Sequence, residues 1–238
     1  MGSLAGRVVA RRPRFLCLHG FRTSGEIMLK RVGNWPAEVT ARFDLVFADA
    51  PFPAEGKSDV DDIFHPPYYE WFQFDKLKIK EGPFDGLMGF SQGSILSGAL
   101  LGLQEQGLAL TRVPKIKYLI IIGGAKFRSP AIADKAYSNM IKIPSLHFLG
   151  TSLCSSQIIP LQDNDFLKPH GEQLIESFVD PFIIRHPKGH TVPRLVDETS
   201  LEVMSRFLDK MEKEISELPS AEPKAEAPAD VDEKEICI

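Results

Sequence analysis

The sequence predicts an α/β fold whose mostly parallel central sheet carries helices on both faces. Three observations predict it. Short apolar runs alternate with helix-period segments along most of the 238 residues. The runs are continuously apolar rather than alternating, as strands buried on both faces are. The run Ile116-Lys117-Tyr118-Leu119-Ile120-Ile121-Ile122 is β-branched, as central parallel strands tend to be. Strands linked through helices need crossover connections, which place helices against the sheet on both sides.

The elements follow in order. Arg14 to Leu18 reads as the first buried strand, Phe43 to Ala48 as the second and Phe84 to Gly89 as the third. Ile116 to Ile122, Leu146 to Leu149 and Phe182 to Arg185 complete the set. Helical patterns fall at Ser94 to Gln106, Gly171 to Phe178 and Glu198 to Lys213. There is no internal repeat. Residues 1–12 read as an N-terminal extension, 13–213 as one domain and 214–238 as an acidic tail rich in Pro, Ala and Glu. The tail has too little apolar surface to offset the entropy of ordering, so disorder is expected there.

Composition narrows the function. Hydrophobic residues make up 43% and charged residues 25%, which suits one globular core. The net charge is −4, and residues 212–238 alone carry −6, leaving the rest near neutral. No basic patch with interleaved aromatics points to nucleic acid. No apolar run approaches the roughly 20 residues that span a bilayer, and the N-terminus shows no signal-peptide pattern. Three scattered cysteines, Cys17, Cys154 and Cys237, fit a reducing compartment; the cytoplasm is the expected location, with the nucleus second. No Cys or His pair has metal-ligand spacing, and no metal or organic cofactor is implied.

One motif carries chemistry. Gly89-Phe90-Ser91-Gln92-Gly93 follows the third strand and opens a helix. G-x-S-x-G between strand and helix is a nucleophile elbow: the glycines permit close backbone approach and the turn lifts the serine Oγ clear of the sheet. A serine needs a base within reach, and the base needs an orienting carboxylate. On this scaffold the chain order is Ser, then Asp or Glu, then His. His190, in the turn-rich loop Pro187-Lys188-Gly189-His190-Thr191-Val192-Pro193, follows the last strand and is the expected base; His186 still lies at the strand end. For the acid, Asp163, Asp165, Glu172, Glu176 and Asp180 lie in the right interval. Asp163 and Asp165 occupy a loop before a helix, the right kind of place. An oxyanion needs two backbone N–H donors. Gln92 supplies one, and Phe21, in the loop His19-Gly20-Phe21-Arg22-Thr23, supplies the other. His19 is expected to shape that loop by hydrogen bonding. Between Pro51 and Asp75 lies an aromatic cluster with Tyr69, Trp71 and Phe72, the expected wall of an apolar substrate pocket.

The chain resembles the FSH1-type serine hydrolases, the family of ovarian-cancer-associated protein 2-like esterases, and its plant members most closely. The resemblance covers residues 13–210. It rests on Phe15-Leu16-Cys17-Leu18-His19-Gly20-Phe21-Arg22-Thr23-Ser24-Gly25, Pro67-Tyr68-Tyr69-Glu70-Trp71-Phe72, Phe84-Asp85-Gly86-Leu87-Met88-Gly89-Phe90-Ser91-Gln92-Gly93 and Arg185-His186-Pro187-Lys188-Gly189-His190-Thr191-Val192-Pro193. It implies an α/β-hydrolase fold, Ser91 as nucleophile, His190 as base, Asp165 as acid with Asp163 in reserve, and a small acyl ester as substrate. The sequence departs from the family after Gly150, where residues 153–162 look like an insertion that bears on where Asp165 sits. Two alternatives follow: acyl-protein thioesterase-like activity, since such enzymes also carry Gly-Phe-Ser-Gln-Gly, and a catalytically impaired hydrolase-fold binding protein. Oligomeric state is not legible.

Overall fold

The computed structural model describes residues 11–54, 58, 60–71, 77–78, 83–150, 168–217 and 235–236. Six parallel strands form the central sheet: β1 (Arg14–Leu18), β2 (Asp44–Ala48), β6 (Gly86–Phe90), β7 (Tyr118–Ile122), β8 (Ser145–Gly150) and β9 (Phe182–His186), in the order β2-β1-β6-β7-β8-β9. These are the six runs expected, with end shifts of a residue or two. Two-residue strands β3 (Phe52–Pro53) and β4 (Tyr69–Glu70) pair outside the sheet, as do β5 (Leu77–Lys78) and β10 (Glu235–Ile236).

Helices cover both faces. On one side α1 (Gly25–Val32) and α6 (Glu198–Ser216) bury Met28, Val32, Met204, Phe207, Leu208 and Met211 against Phe15, Cys17, Met88, Ile120 and Phe148. On the other, α3 (Gln92–Glu105) and α5 (Lys168–Ile175) bury Leu96, Leu100, Leu101 and Leu174 against Leu16, Leu18, Leu87, Leu119 and Ile121. Residues of opposite parity on each strand thus serve opposite cores, which is why the runs are continuously apolar. Three of the helices, α1, α2 (Ala37–Thr40) and α4 (Pro130–Ala136), have no counterpart among the expected ones; α2 and α4 are short, and neither spans enough turns to establish a 3.6-residue period. Helix α6 runs past the expected end at Lys213 because Ile215 continues its buried face, so the tail begins later than residue 214. No helix among the described residues is long and apolar enough to cross a membrane.

At the far end of the sheet Arg11 grips Asp85 in a two-pronged ion pair, 2.6 and 2.7 Å, and the Arg14 N–H donates to the same carboxylate. Burial pushes the Asp85 carboxyl up, but these donors outweigh it and hold it below the usual range. The opposite end holds the turn that carries Ser91. β1 and β6 are neighbours, yet the chain leaves β1 toward β2 on one side and returns at β6 on the other. The crevice at the carboxyl ends of such a reversal is where open α/β sheets bind ligands.

Candidate active site

Ser91 sits in that crevice, at the turn from β6 into α3, with φ 53° and ψ −115°. Positive φ costs a serine on the order of 1–2 kcal/mol, and the surroundings hold it there. Its N–H donates to the Ile122 carbonyl at 2.9 Å, and its own carbonyl accepts from Ser94 and Ile95 N–H at 3.0 and 3.1 Å. Ser94 Oγ ties β6 to β7, 2.6 Å from the Gly89 carbonyl and accepting the Ile122 N–H at 3.1 Å. The flanking glycines are required by backbone contact. A Cβ on Gly89 would lie 2.4 Å from the Gly93 carbonyl oxygen, and one on Gly93 2.1 Å from that of Leu18. The spacing of the motif therefore reflects three backbones meeting at one point.

The loop after β1 packs directly on this turn: a Cβ at Gly20 would touch the Phe90 ring at 3.0 Å and Ser91 Cβ at 3.4 Å. His19 organises the loop, as expected. Its Nδ1 is 2.7 Å from the Gly20 carbonyl and its Nε2 accepts the Ala50 N–H at 3.0 Å. An accepting Nε2 and a donating Nδ1 define one neutral tautomer. Burial pulls the His19 imidazole down to about 4, against the opposing pull of the Gly20 carbonyl and Asp49, so it is neutral at pH 7. Thr23 Oγ1 donates to the same Gly20 carbonyl at 2.9 Å. Arg22, at φ 47°, is held by Glu70 at 2.8 Å. Between them stands Phe21, half-exposed. Among the described residues neither the Phe21 nor the Gln92 N–H has a hydrogen-bond acceptor.

His190 reaches the same crevice from the loop after β9. Its ring stacks on Phe90 with centroids 5.1 Å apart and 26° between planes. Gly123, which follows the Ser91-bonding Ile122, makes room for it: a Cβ there would lie 2.8 Å from His190 Cε1. The loop is pinned by the Trp35 indole, which donates to the Pro193 carbonyl at 2.9 Å, and by buried Val192 and Leu195. His186 is elsewhere, buried at the end of β9.

The aromatic wall is wired to the elbow. The Trp71 N–H donates to Gln92 Oε1 at 3.0 Å and its indole to the His19 carbonyl at 2.8 Å. Trp71 is thereby fully packed and, contrary to expectation, presents no open pocket surface; Tyr69 is half-buried, its N–H bonded to the Thr23 carbonyl at 2.8 Å. The structure thus brings together Ser91, Gln92, Phe21, His190, Tyr69 and Trp71. Asp163, Asp165, Phe72 and the expected insertion at 153–162 lie outside the described residues. Two residues of the site were not singled out from sequence. Gly123 had a readable signal, a glycine pair ending a strand. Arg31, on α1, had none; its guanidinium lies 5.7 Å from the Phe90 ring centroid and 3.4 Å from Thr191 Oγ1.

The family described as serine hydrolase (FSH1) matches residues 9–78 and 75–200. The chain belongs to the FSH1 serine hydrolase family. Its activity is accordingly of the serine hydrolase, esterase type. Esterase OVCA2 of Xenopus tropicalis is 28% identical over 230 residues, covering 83% of this chain and 92% of that protein. A Schizosaccharomyces pombe protein named dihydrofolate reductase is 26% identical over 213 residues; the match takes in 76% of this chain but spans only 44% of that protein's length. Among solved structures, Zea mays acyl-protein thioesterase 2 superposes with a TM-score of 0.50 at 16% identity, covering 87% of this chain and 96% of that one, a likeness of fold.

Proposed function

We propose that this FSH1-family chain hydrolyses carboxylic esters through an acyl-enzyme on Ser91. The observation that carries the reading is the strained Ser91 at the head of α3 with the His190 loop packed against the same turn. Ser91 Oγ attacks the acyl carbonyl carbon and His190 takes the hydroxyl proton. The carbonyl π pair moves onto oxygen, where the N–H groups of Phe21 and Gln92 receive the negative charge; the first turn of α3 adds its dipole. Collapse breaks the bond to the leaving oxygen, which takes the proton from His190. Water, deprotonated by His190, then attacks the acyl-enzyme, and Ser91 leaves with that proton. Asp165, with Asp163 as the alternative, is the proposed partner that orients the imidazole. Tyr69, half-buried and backed by the packed Trp71, suits an apolar acyl chain. The sparse cysteines favour action in a reducing compartment, the cytoplasm or nucleus.

The test is labelling with a fluorophosphonate probe, which reacts with activated serines. The wild-type chain is expected to label and Ser91→Ala to stay dark at an unchanged melting temperature. Labelling that survives Ser91→Ala, or a folded wild type that does not label, removes the reading. Asp165→Asn and Asp163→Asn, scored by the labelling rate, assign the acid: the larger loss marks it.

A further inference from the structure

Arg31 differs from the other arginines held within the fold. Arg11, Arg14, Arg22, Arg42 and Arg185 each have a carboxylate within 3.3 Å. Arg31 has none among the described residues. It is half-buried, with its guanidinium carbon 5.8 Å from the Phe64 ring centroid and 5.7 Å from that of Phe90. Of the five N–H donors of a guanidinium, only one has an acceptor among the described residues, the Thr191 hydroxyl at a long 3.4 Å. Burial pulls this guanidinium below its ordinary value. Desolvating a charge without a close counter-ion is costly. Such an arrangement is well suited to a planar fork awaiting an anion.

Its position gives the anion a side. Phe90 precedes Ser91, His190 stacks on Phe90, and Thr191 follows His190. His190 is the residue that protonates the departing oxygen in the proposed mechanism. Arg31 therefore stands on the leaving-group side, whereas Trp71 lies at the elbow's other variable residue, Gln92. We infer that Arg31 recognises a carboxylate or phosphate on the leaving-group half of the ester, so that the preferred substrates are acyl esters of anionic alcohols. This rests on the hydrolase reading above.

The experiment keeps the acyl group constant and varies the leaving group: methyl 4-acetoxybenzoate (neutral), 4-acetoxybenzoate (carboxylate) and 4-acetoxyphenyl phosphate. Each is measured with wild type, Arg31→Met and Arg31→Lys, so that intrinsic differences between the esters cancel in the ratio. The anionic-to-neutral ratio of kcat/KM is expected to fall roughly 10- to 100-fold in Arg31→Met, the scale of a charge-assisted pair, and to fall by less in Arg31→Lys, which keeps the charge but not the fork. Whichever of the two anions shows the larger fall identifies the group. An unchanged ratio overturns the inference, including the case where Arg31→Met slows all three esters equally, which would make Arg31 only a prop for the His190 loop. If folded wild type cleaves none of the three and does not label with fluorophosphonate, the hydrolase reading has failed and the inference falls with it. Labelling together with cleavage of the neutral ester, at a ratio Arg31→Met does not alter, refutes Arg31 alone.

Discussion

Replacing Gly123 by alanine separates backbone strain from displacement of His190. Gly123 has φ 57°, and a Cβ there would lie 2.8 Å from His190 Cε1 and 2.9 Å from Nδ1. Ordinary contact begins near 3.4 Å, so the imidazole must retreat by about half an ångström. It has Phe90 stacked against it at 5.1 Å, which restricts the retreat. The left-handed backbone costs alanine about 1–2 kcal/mol, partly offset by the stiffer unfolded chain. A control exists in the same molecule. Gly107, past the end of α3, has φ 69° with nothing within 4 Å of the added carbon. Gly107→Ala should lower the melting temperature by about 2–4 °C for each 1 kcal/mol lost and leave activity intact. Gly123→Ala should lose similar or greater stability and also about 10- to 100-fold in ester turnover and fluorophosphonate labelling rate, the scale for a misplaced catalytic group. If both variants melt alike and Gly123→Ala labels at the wild-type rate, His190 is not the base that activates Ser91.

Two further outcomes follow from the same contacts. Burial holds His19 at about 4 and His147 at about 3, both depressed from 6.5. The unfolded chain therefore binds more protons than the native one as pH falls below 6.5, and stability drops until the native groups titrate. The loss is on the order of 3 kcal/mol for each histidine by pH 4; urea midpoints between pH 7 and 4.5 should show it, and a His147→Asn variant with an undiminished slope would contradict it. Glu70→Gln removes the carboxylate that holds Arg22, itself at positive φ beside Phe21. A loss of about 1 kcal/mol in stability and a several-fold fall in kcat are expected, whereas a wild-type kcat would mean the Phe21 loop is held without this pair.

Much of this architecture is legible before any coordinates because buried parallel strands leave a crude signal. Tyr118 to Ile122 must be apolar on both sides, as must the neighbouring strands Gly86–Phe90 and Ser145–Gly150. The Ser91 turn is legible for a different reason: two backbone contacts under 2.5 Å exclude any side chain at positions 89 and 93. Short-range sterics of this kind write themselves into sequence. Helix α1 was not read, although Ser24 caps it and Asp49 receives the Gly25 N–H. Its apolar face is only Ile27, Met28 and Val32, and the second acceptor at its N-terminus, Asp49, is 24 residues away. Arg31 is illegible for the same reason: its meaning lies in two rings and a hydroxyl from three other parts of the chain, none of them near it in sequence.

The two variable positions of Gly-Phe-Ser-Gln-Gly account for how one turn comes to govern three loops. The glycines and Ser91 determine the shape of the turn, and the side chains beside Ser91 tie the distant loops to it. Phe90 does so on one side. Its ring lies against Gly20 of the Phe21 loop, stacks with His190 and carries Arg31 at 5.7 Å. Gln92 does so on the other, where its carbonyl oxygen holds the Trp71 backbone while the Trp71 indole closes back on His19. A smaller residue at 90 would leave His190 and Arg31 without a common surface; an apolar residue at 92 would strand the Trp71 N–H in a buried setting, at a cost of about 1–3 kcal/mol. On this wiring Phe90→Ala should injure the base and anion side, seen as a slower labelling rate and a reduced anionic-to-neutral preference. Gln92→Leu should instead injure the acyl wall, seen as a raised KM for long acyl chains with the anion preference kept. Equal injury to both preferences by either variant would mean that the elbow acts as one rigid block and that its variable positions are interchangeable props.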